Sequence, residues 1–238
     1  MAESLETIAK TSYNAAFDIP ERDSADYRTN FVKQMLAPSS GCLLDLGCNY
    51  GSFLTHLQKE DAIGLDLRRE PLVVFKNYSR GQYPLLQGSA VDLPFANHVF
   101  DAITLWDVIE HVPEGTELLL LREISRVLKR GGLLFGTTPT DDLRSIITDP
   151  AFILRRHRHY SSAELEALLR LAGFEIQILQ SLGDISAIFA INFLYLRKWA
   201  VRRKMLESVQ SALDRKSQEK IVAGTSGYIG WYFLAKKK

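Results

Sequence analysis

The stretch Cys42-Leu43-Leu44-Asp45-Leu46-Gly47-Cys48-Asn49-Tyr50-Gly51-Ser52-Phe53-Leu54 constrains this chain more than any other. A short apolar run ends in an acid, then turns through two glycines into a predicted helix from Ser52 to Lys59. Strand, glycine turn and helix N-terminus together make a nucleotide cradle: glycine lets the backbone approach a ligand, and the first helix amides are free to meet it. The dinucleotide fingerprint G-x-G-x-x-G would need glycine at 47, 49 and 52, but Asn49 and Ser52 stand at two of these places. That disfavours a nicotinamide oxidoreductase. The spacing present is Asp45-x-Gly47-x-x-x-Gly51, with Asn49 at its centre, and Asn is one of the few non-glycine residues that tolerates the left-handed region.

Strands and helices alternate from there. Ala62–Leu67, Tyr83–Gln87, Val99–Trp106 and Leu133–Thr138 read as strands, and Pro71–Tyr78 and Glu114–Lys129 as helices. The second of these helices is expected to stop at Arg130-Gly131-Gly132. Such alternation predicts a parallel sheet with helices on both faces. Beyond residue 140 come a helix over Ser161–Ala172, with Ser161 or Ser162 as N-cap and Glu164 close behind, and two strands, Phe174–Leu182 and Tyr228–Leu234. Residues 1–40 carry two helical patterns, Leu5–Phe17 and Ser24–Leu36, read as a cover over a core built from 41–182 and 224–238. Residues 184–223 form an insertion, apolar from Ile185 to Leu196 and then basic.

With 46% hydrophobic and 24% charged residues in 238, the expectation is one domain with a sizeable core. A net charge of +1 exerts no overall pull on DNA or an anionic membrane. From Arg197 onward the balance is +8, which reads first as a solvated helix face. No apolar run approaches the roughly 20 residues of a bilayer span. The opening residues lack a basic region followed by an apolar core, and the two cysteines, Cys42 and Cys48, form no framework, so the expected location is cytoplasmic.

Further signals follow in order. Asp66 lies 21 positions after Asp45, at the end of the second predicted strand, where an acid can hold both hydroxyls of a ribose. Then come Gly88-Ser89-Ala90-Val91-Asp92-Leu93-Pro94-Phe95 with Val99-Phe100-Asp101, next Leu105-Trp106-Asp107-Val108-Ile109-Glu110-His111-Val112-Pro113, and finally Leu121-Arg122-Glu123-Ile124-Ser125-Arg126-Val127-Leu128-Lys129-Arg130-Gly131-Gly132. From Leu43 to Pro139 the chain resembles the class I S-adenosylmethionine-dependent methyltransferases, of the type 11 and ubiquinone-biosynthesis-like kind. Asn49 replaces the central glycine of their D-x-G-x-G-x-G loop, and Ser89 replaces the usual Asp. The resemblance implies an α/β, Rossmann-like three-layer sandwich: a seven-stranded, mostly parallel sheet with an antiparallel last strand. It implies S-adenosyl-L-methionine as cofactor, met by Asp45, Gly47, Cys48, Asn49 and Gly51 in the first loop. Asp66 would sit at the ribose, and Leu67, Ser89, Ala90 and Trp106 would complete the pocket.

Asp107-x-x-Glu110-His111 has two readings. Asp107 and Glu110 can form a reciprocal capping box, or Asp107, Glu110 and His111 can hold Mg²⁺. The second resembles the E-x-x-E-H of ubiquinone-biosynthesis O-methyltransferases and of the small-RNA 3′-end 2′-O-methyltransferases. His157-Arg158-His159-Tyr160 is the best remaining place for a base, so His157, His159, Tyr160 and His111 are the candidate catalytic side chains. The expected acceptor is a small or lipid-like molecule methylated on oxygen, with Phe189, Phe193 and Tyr195 near the pocket mouth. Alternatives are RNA-end methylation and a methyltransferase-fold protein that only binds. The chain is expected to act as a monomer or homodimer.

Overall fold

A computed structural model of the protein describes residues 27–36, 41–148, 157–183, 227 and 229–238. In chain order its elements are α1 (Tyr27–Met35), β1 (Leu43–Leu46), α2 (Ser52–Leu57), β2 (Ala62–Asp66), α3 (Arg69–Tyr78), β3 (Leu85–Gln87) and β4 (Phe100–Trp106). A 3-10 turn (Ile109–His111) follows, then α4 (Glu117–Val127), β5 (Leu128–Pro139), α5 (Leu143–Thr148), α6 (Ser162–Leu171), β6 (Phe174–Leu182) and β7 (Gly230–Lys237). The first predicted helix, the insertion 184–223 and with it Phe189, Phe193 and Tyr195 lie outside the described residues.

The seven strands form one sheet in the order β3-β2-β1-β4-β5-β7-β6. Strands β1 to β5 pair in parallel, and β7 runs antiparallel to both β5 and β6. Side chains alternate across it. Leu44, Leu46, Ile103, Leu105 and Leu134 share one core with Ile124 and Val127 of α4 and Leu165 and Leu169 of α6. Leu43, Ala102 and Phe135 point the other way, to Val32 of α1, Leu54 of α2 and Phe75 of α3. The period of two in the strands therefore separates two helical layers, giving the expected three-layer α/β architecture.

Most element boundaries differ from expectation by one to three residues, and two differences have a physical cause. Helix α4 ends at Val127 and β5 begins at once, because Leu128 already pairs with Phe100. Gly131, at φ 75°, lies inside β5 where the register with β4 shifts, so the expected glycine stop is a strand irregularity. Helix α4 also starts late, since Gly115 takes φ 83° and the Thr116 amide donates to Pro113 O at 3.0 Å, forming a turn. The Ser161 cap formed as expected: its hydroxyl accepts from the Glu164 amide at 3.2 Å, and the Glu164 carboxylate accepts from the Ser161 amide at 2.9 Å. The short helix α5 had no counterpart in the sequence reading.

Candidate active site

The loops that follow β1 to β5 all leave the sheet at its carboxyl edge, where open α/β sheets bind ligands. In the first loop Gly47, Asn49 and Gly51 have φ of 71°, 50° and 76°, so Asn49 adopts the left-handed conformation its place requires. A Cβ on Gly47 would lie 2.5 Å from Val108 Cγ2, and one on Gly51 would meet the Phe75 ring. Asp45 is buried and accepts a hydrogen bond from Thr104 Oγ1 at 2.7 Å, which ties β1 to β4 beside the loop.

Asp66 reaches back to that loop. Its Oδ2 accepts from the Asn49 amide at 2.9 Å and its Oδ1 from the Arg68 amide at 2.9 Å. The Arg68 guanidinium lies 3.8 Å from Oδ1 and donates to Asn49 Oδ1 at 3.1 Å. Asp66 is thus both the acid at the end of β2 and the post that holds the glycine loop in shape. Each carboxylate oxygen retains a second lone pair for a ribose hydroxyl. Leu67, next in the chain, is 68% exposed, an apolar side chain left in water beside the loop.

The Cys48 side chain is part of the core. Its thiol is buried against Gly64, where an added Cβ would sit 2.8 Å from Sγ. Burial, with the charges of Asp45 and Asp66 added, pushes the thiol far above its usual range, so it is an inert packing group and only its backbone can serve a ligand. Trp106 is likewise mainly core, its ring against Phe53 at 5.3 Å and Tyr232 at 5.8 Å. Its buried Nε1 has no hydrogen-bond partner among the described residues. The Arg28 guanidinium of α1 lies over the same ring at 5.6 Å.

Ser89 and Ala90 sit half-buried in a tight turn. The Ser89 hydroxyl accepts from the Val91 amide at 3.4 Å, a long contact that leaves it able to meet a ligand. What shapes this segment is a clamp the sequence reading missed. Arg126 Nη2 donates to Leu93 O at 2.9 Å and Nη1 to Phe95 O at 2.7 Å, while Glu123 Oε2 accepts from the Leu93 amide at 2.9 Å. Arg126 and Glu123 also bond each other through Nε and Nη2, at 2.8 Å each. The resemblance that runs through Leu121–Gly132 was its sequence signal. The Arg126 hydrogen bond holds the Glu123 carboxyl below its ordinary value. A carboxyl so lowered contributes stability above its unfolded value and loses it as pH falls through the folded one. Replacing Arg126 with Met is therefore expected to cost about 1.5–3 kcal/mol at pH 7. The cost should shrink below pH 4; a loss that stays constant from pH 7 to pH 3 in urea titrations would contradict the clamp.

Asp107 lies outside the grouping the resemblance implied. It adopts φ 53°, which turns its carboxylate to Thr137 Oγ1 at 2.7 Å and to Arg28 in an ion pair. The 3-10 turn is capped by Val108 with no side-chain hydrogen bond, so no capping box forms there. Asp107, Glu110 and His111 as a set do not fit Mg²⁺, because the first carboxylate is engaged elsewhere. Glu110 instead meets His111 and His157: the three donor atoms all lie within 4.8 Å of one another. Glu110 is buried, its Oε2 accepting from Thr138 Oγ1 at 3.1 Å. Burial, with the Asp107 charge added, pushes its carboxyl well above the usual range.

Residues 157–160 run beside the end of β5, where Thr140 and Tyr160 form a parallel bridge. Tyr160 is not placed as a base. Its hydroxyl donates to Ile109 O at 3.2 Å and accepts from Arg158 Nε at 3.1 Å, and burial raises its phenol above the ordinary value. Arg158 donates to Ile109 O and Val112 O at 2.9 and 2.6 Å, tying this segment to the 3-10 turn. His159 is suited to take a proton. Its Nδ1 stands 2.6 Å from Thr140 O, an acceptor only, so a neutral ring carries its proton on that nitrogen. The His157 and His159 rings are 6.4 Å apart.

Comparison with known proteins agrees with this geometry. A sequence-family profile described as a methyltransferase domain matches residues 21–178, well over half of the chain. A demethylmenaquinone methyltransferase of Lactobacillus johnsonii is 31% identical over 130 residues, 49% of this chain and 52% of that protein. A ubiquinone biosynthesis O-methyltransferase of Aliivibrio fischeri is 29% identical over 111 residues, 44% of this chain and 47% of that protein. The chain spans about half the length of the curated relatives it matches. Among solved structures, a SAM-dependent methyltransferase from Thermotoga maritima superposes with TM-score 0.62 at 18% identity, over 98% of this chain and 96% of the other. The [4+2]-cyclase SpnF gives 0.62 at 18% identity, over 100% and 97%. At such identities these two show the fold alone. Family profile, strand order and glycine loop coincide, and the chain belongs to the class I S-adenosylmethionine-dependent methyltransferases.

Proposed function

We propose that this protein transfers the methyl group of S-adenosylmethionine to an oxygen of a small, partly apolar acceptor in the cytoplasm. One observation carries the reading: a left-handed loop at Gly47, Asn49 and Gly51, locked through the Asn49 amide to the buried acid at the end of β2. The loop amides and the α2 N-terminus suit the polar end of the cofactor, Asp66 its ribose, and Leu67 with the Ser89–Ala90 turn its adenine. Bound there, S-adenosylmethionine would supply a sulfonium methyl to the acceptor oxygen, the C–S electron pair returning to sulfur as the C–O bond forms. Among the described residues, His159 is the side chain assigned to remove the acceptor proton. Arg158 and Tyr160 hold that segment in place.

Two observations favour an apolar acceptor. The relatives named above are demethylmenaquinone and ubiquinone-pathway methyltransferases. On α5, whose Ser145 Oγ lies 3.5 Å from His159 Nδ1, Leu143 and Ile147 are 67% and 70% exposed, one turn apart. The likeness to a cyclase shows that this fold serves other chemistry too, so methyl transfer has to be read directly.

Calorimetry tests the cofactor half. S-adenosylmethionine and its demethylated product should bind and NAD should not. Asp66→Ala should weaken binding by about 1.5–3 kcal/mol, the range for a hydrogen bond to a charged group. NAD binding as tightly as S-adenosylmethionine, or full affinity in the variant, would remove Asp66 and its loop from the reading. Methyl transfer from labelled donor to a demethylated quinone precursor, against a water-soluble catechol of equal acidity, tests the acceptor half. Preference for the catechol would count against an apolar acceptor.

A further inference from the structure

We propose that Glu110, His111 and His157 form a binding site for a borderline divalent transition ion, of the Zn²⁺ or Co²⁺ class, with Asp107 outside it. The three donor atoms converge. His157 Nε2 lies 3.0 Å from His111 Nε2 and 3.9 Å from Glu110 Oε1. A metal bonded to nitrogen at about 2.0–2.1 Å holds two such nitrogens roughly 3.0–3.4 Å apart, whether its angles are octahedral or tetrahedral. The pair of imidazoles meets that requirement with little adjustment.

A second observation points to a ligand independently. Glu110 is buried, and its Oε1 has no hydrogen-bond partner among the described residues although it stands near the nitrogen that faces His111. A buried carboxylate oxygen without a partner is costly. A hydrogen bond between the two imidazoles would account for their 3.0 Å separation, yet it would leave Oε1 unexplained. A cation between the three atoms accounts for both. The other oxygen, Oε2, is held by Thr138 Oγ1, the kind of outer contact that orients a ligating carboxylate. Arg158 bridges the two segments that bring the donors together, through Ile109 O and Val112 O.

The donor chemistry selects the ion. Two imidazoles and one carboxylate suit Zn²⁺, Co²⁺ and their neighbours, whereas Mg²⁺ prefers oxygen ligands and retained water. Asp107, the oxygen ligand that would favour Mg²⁺, is turned to Arg28 and Thr137. Three protein ligands leave coordination open, and His111 is exposed, so an acceptor hydroxyl could be oriented and acidified there. Only that last role rests on the methyl-transfer reading. Ion binding does not, and it is measured without donor or acceptor.

The experiment is a titration of chelator-treated full-length protein with Co²⁺, followed by visible absorption and calorimetry. One equivalent should bind with visible d–d bands, be displaced by Zn²⁺, and resist millimolar Mg²⁺. His157→Ala should weaken Co²⁺ affinity at least about 100-fold, matching or exceeding the cost of losing an outer-shell partner. His111→Ala, at an exposed position, should do the same if the first variant fails to fold. Asp107→Asn should change affinity by less than about threefold. No saturable Co²⁺ binding, displacement by Mg²⁺, or binding that depends on Asp107 and not on the histidines would overturn the site.

Discussion

Replacing His159 with Ala is expected to lower kcat by about 10²–10⁴, the contribution of a positioned general base, and to leave cofactor affinity unchanged. The expectation follows from the tautomer. Thr140 O receives the Nδ1 proton, and Ser145, whose own hydroxyl donates to Ile229 O at 2.9 Å, leaves its oxygen facing the same nitrogen. The ring is thus oriented through Nδ1. His159→Asn separates holding from proton transfer, since its amide can still donate to Thr140 O but has no basic nitrogen at the Nε2 position. Both variants should lose kcat to a similar degree at saturating donor and acceptor. If Asn restored most of the rate, His159 would be a positioning residue only, and the base would have to be sought at His111 or His157.

Gly51→Ala should destabilise the protein by about 2–5 kcal/mol, combining a left-handed alanine with overpacking of a filled core. The added methyl would meet the ring of Phe75, which is fully buried and stacked on Tyr83 at 5.6 Å, so the ring has nowhere to go. Gly81 makes the comparison informative. It too has positive φ, at 74°, but among the described residues nothing lies within 4 Å of where its Cβ would stand. Gly81→Ala should therefore cost only the conformational part, about 1–2 kcal/mol. Urea unfolding of the two variants separates the contributions, and equal losses would show that Phe75 can move aside. Because Gly51 starts α2, the same substitution should also weaken S-adenosylmethionine binding.

What could be read from the sequence was mostly local. The Ser161 cap involves residues three apart, and its partners are both side-chain types with a known pattern, so it formed as expected. Asn49 was legible because few residues tolerate its backbone angle. Asp107 looked the same on paper as Ser161, an acid three residues before a glutamate. Its own left-handed φ sent the carboxylate to Thr137 and Arg28 instead, 30 and 79 positions away. His157 joined Glu110 and His111 across 46 residues, a distance at which spacing carries no signal. The Arg126 clamp was hidden for another reason: it grips backbone carbonyls, and a carbonyl has the same chemistry in every residue. Helix α4 shows the opposite error. Its apolar period through Leu120, Leu121, Ile124 and Val127 was correct, but the two glycines beyond it belong to the strand that follows.

Strand β7 has a consequence for how the chain is made. It fills the gap between β5 and β6, yet 47 residues separate Leu182 from Gly230. During synthesis at about 5–20 residues per second, both flanking strands wait several seconds with an unpaired edge. Those edges carry Leu134, Phe135, Ile176 and Ile178, a segment type that pairs readily with other chains. The nascent protein is therefore exposed to aggregation between the synthesis of β6 and that of β7, and a chaperone that shields strand edges would act in that interval.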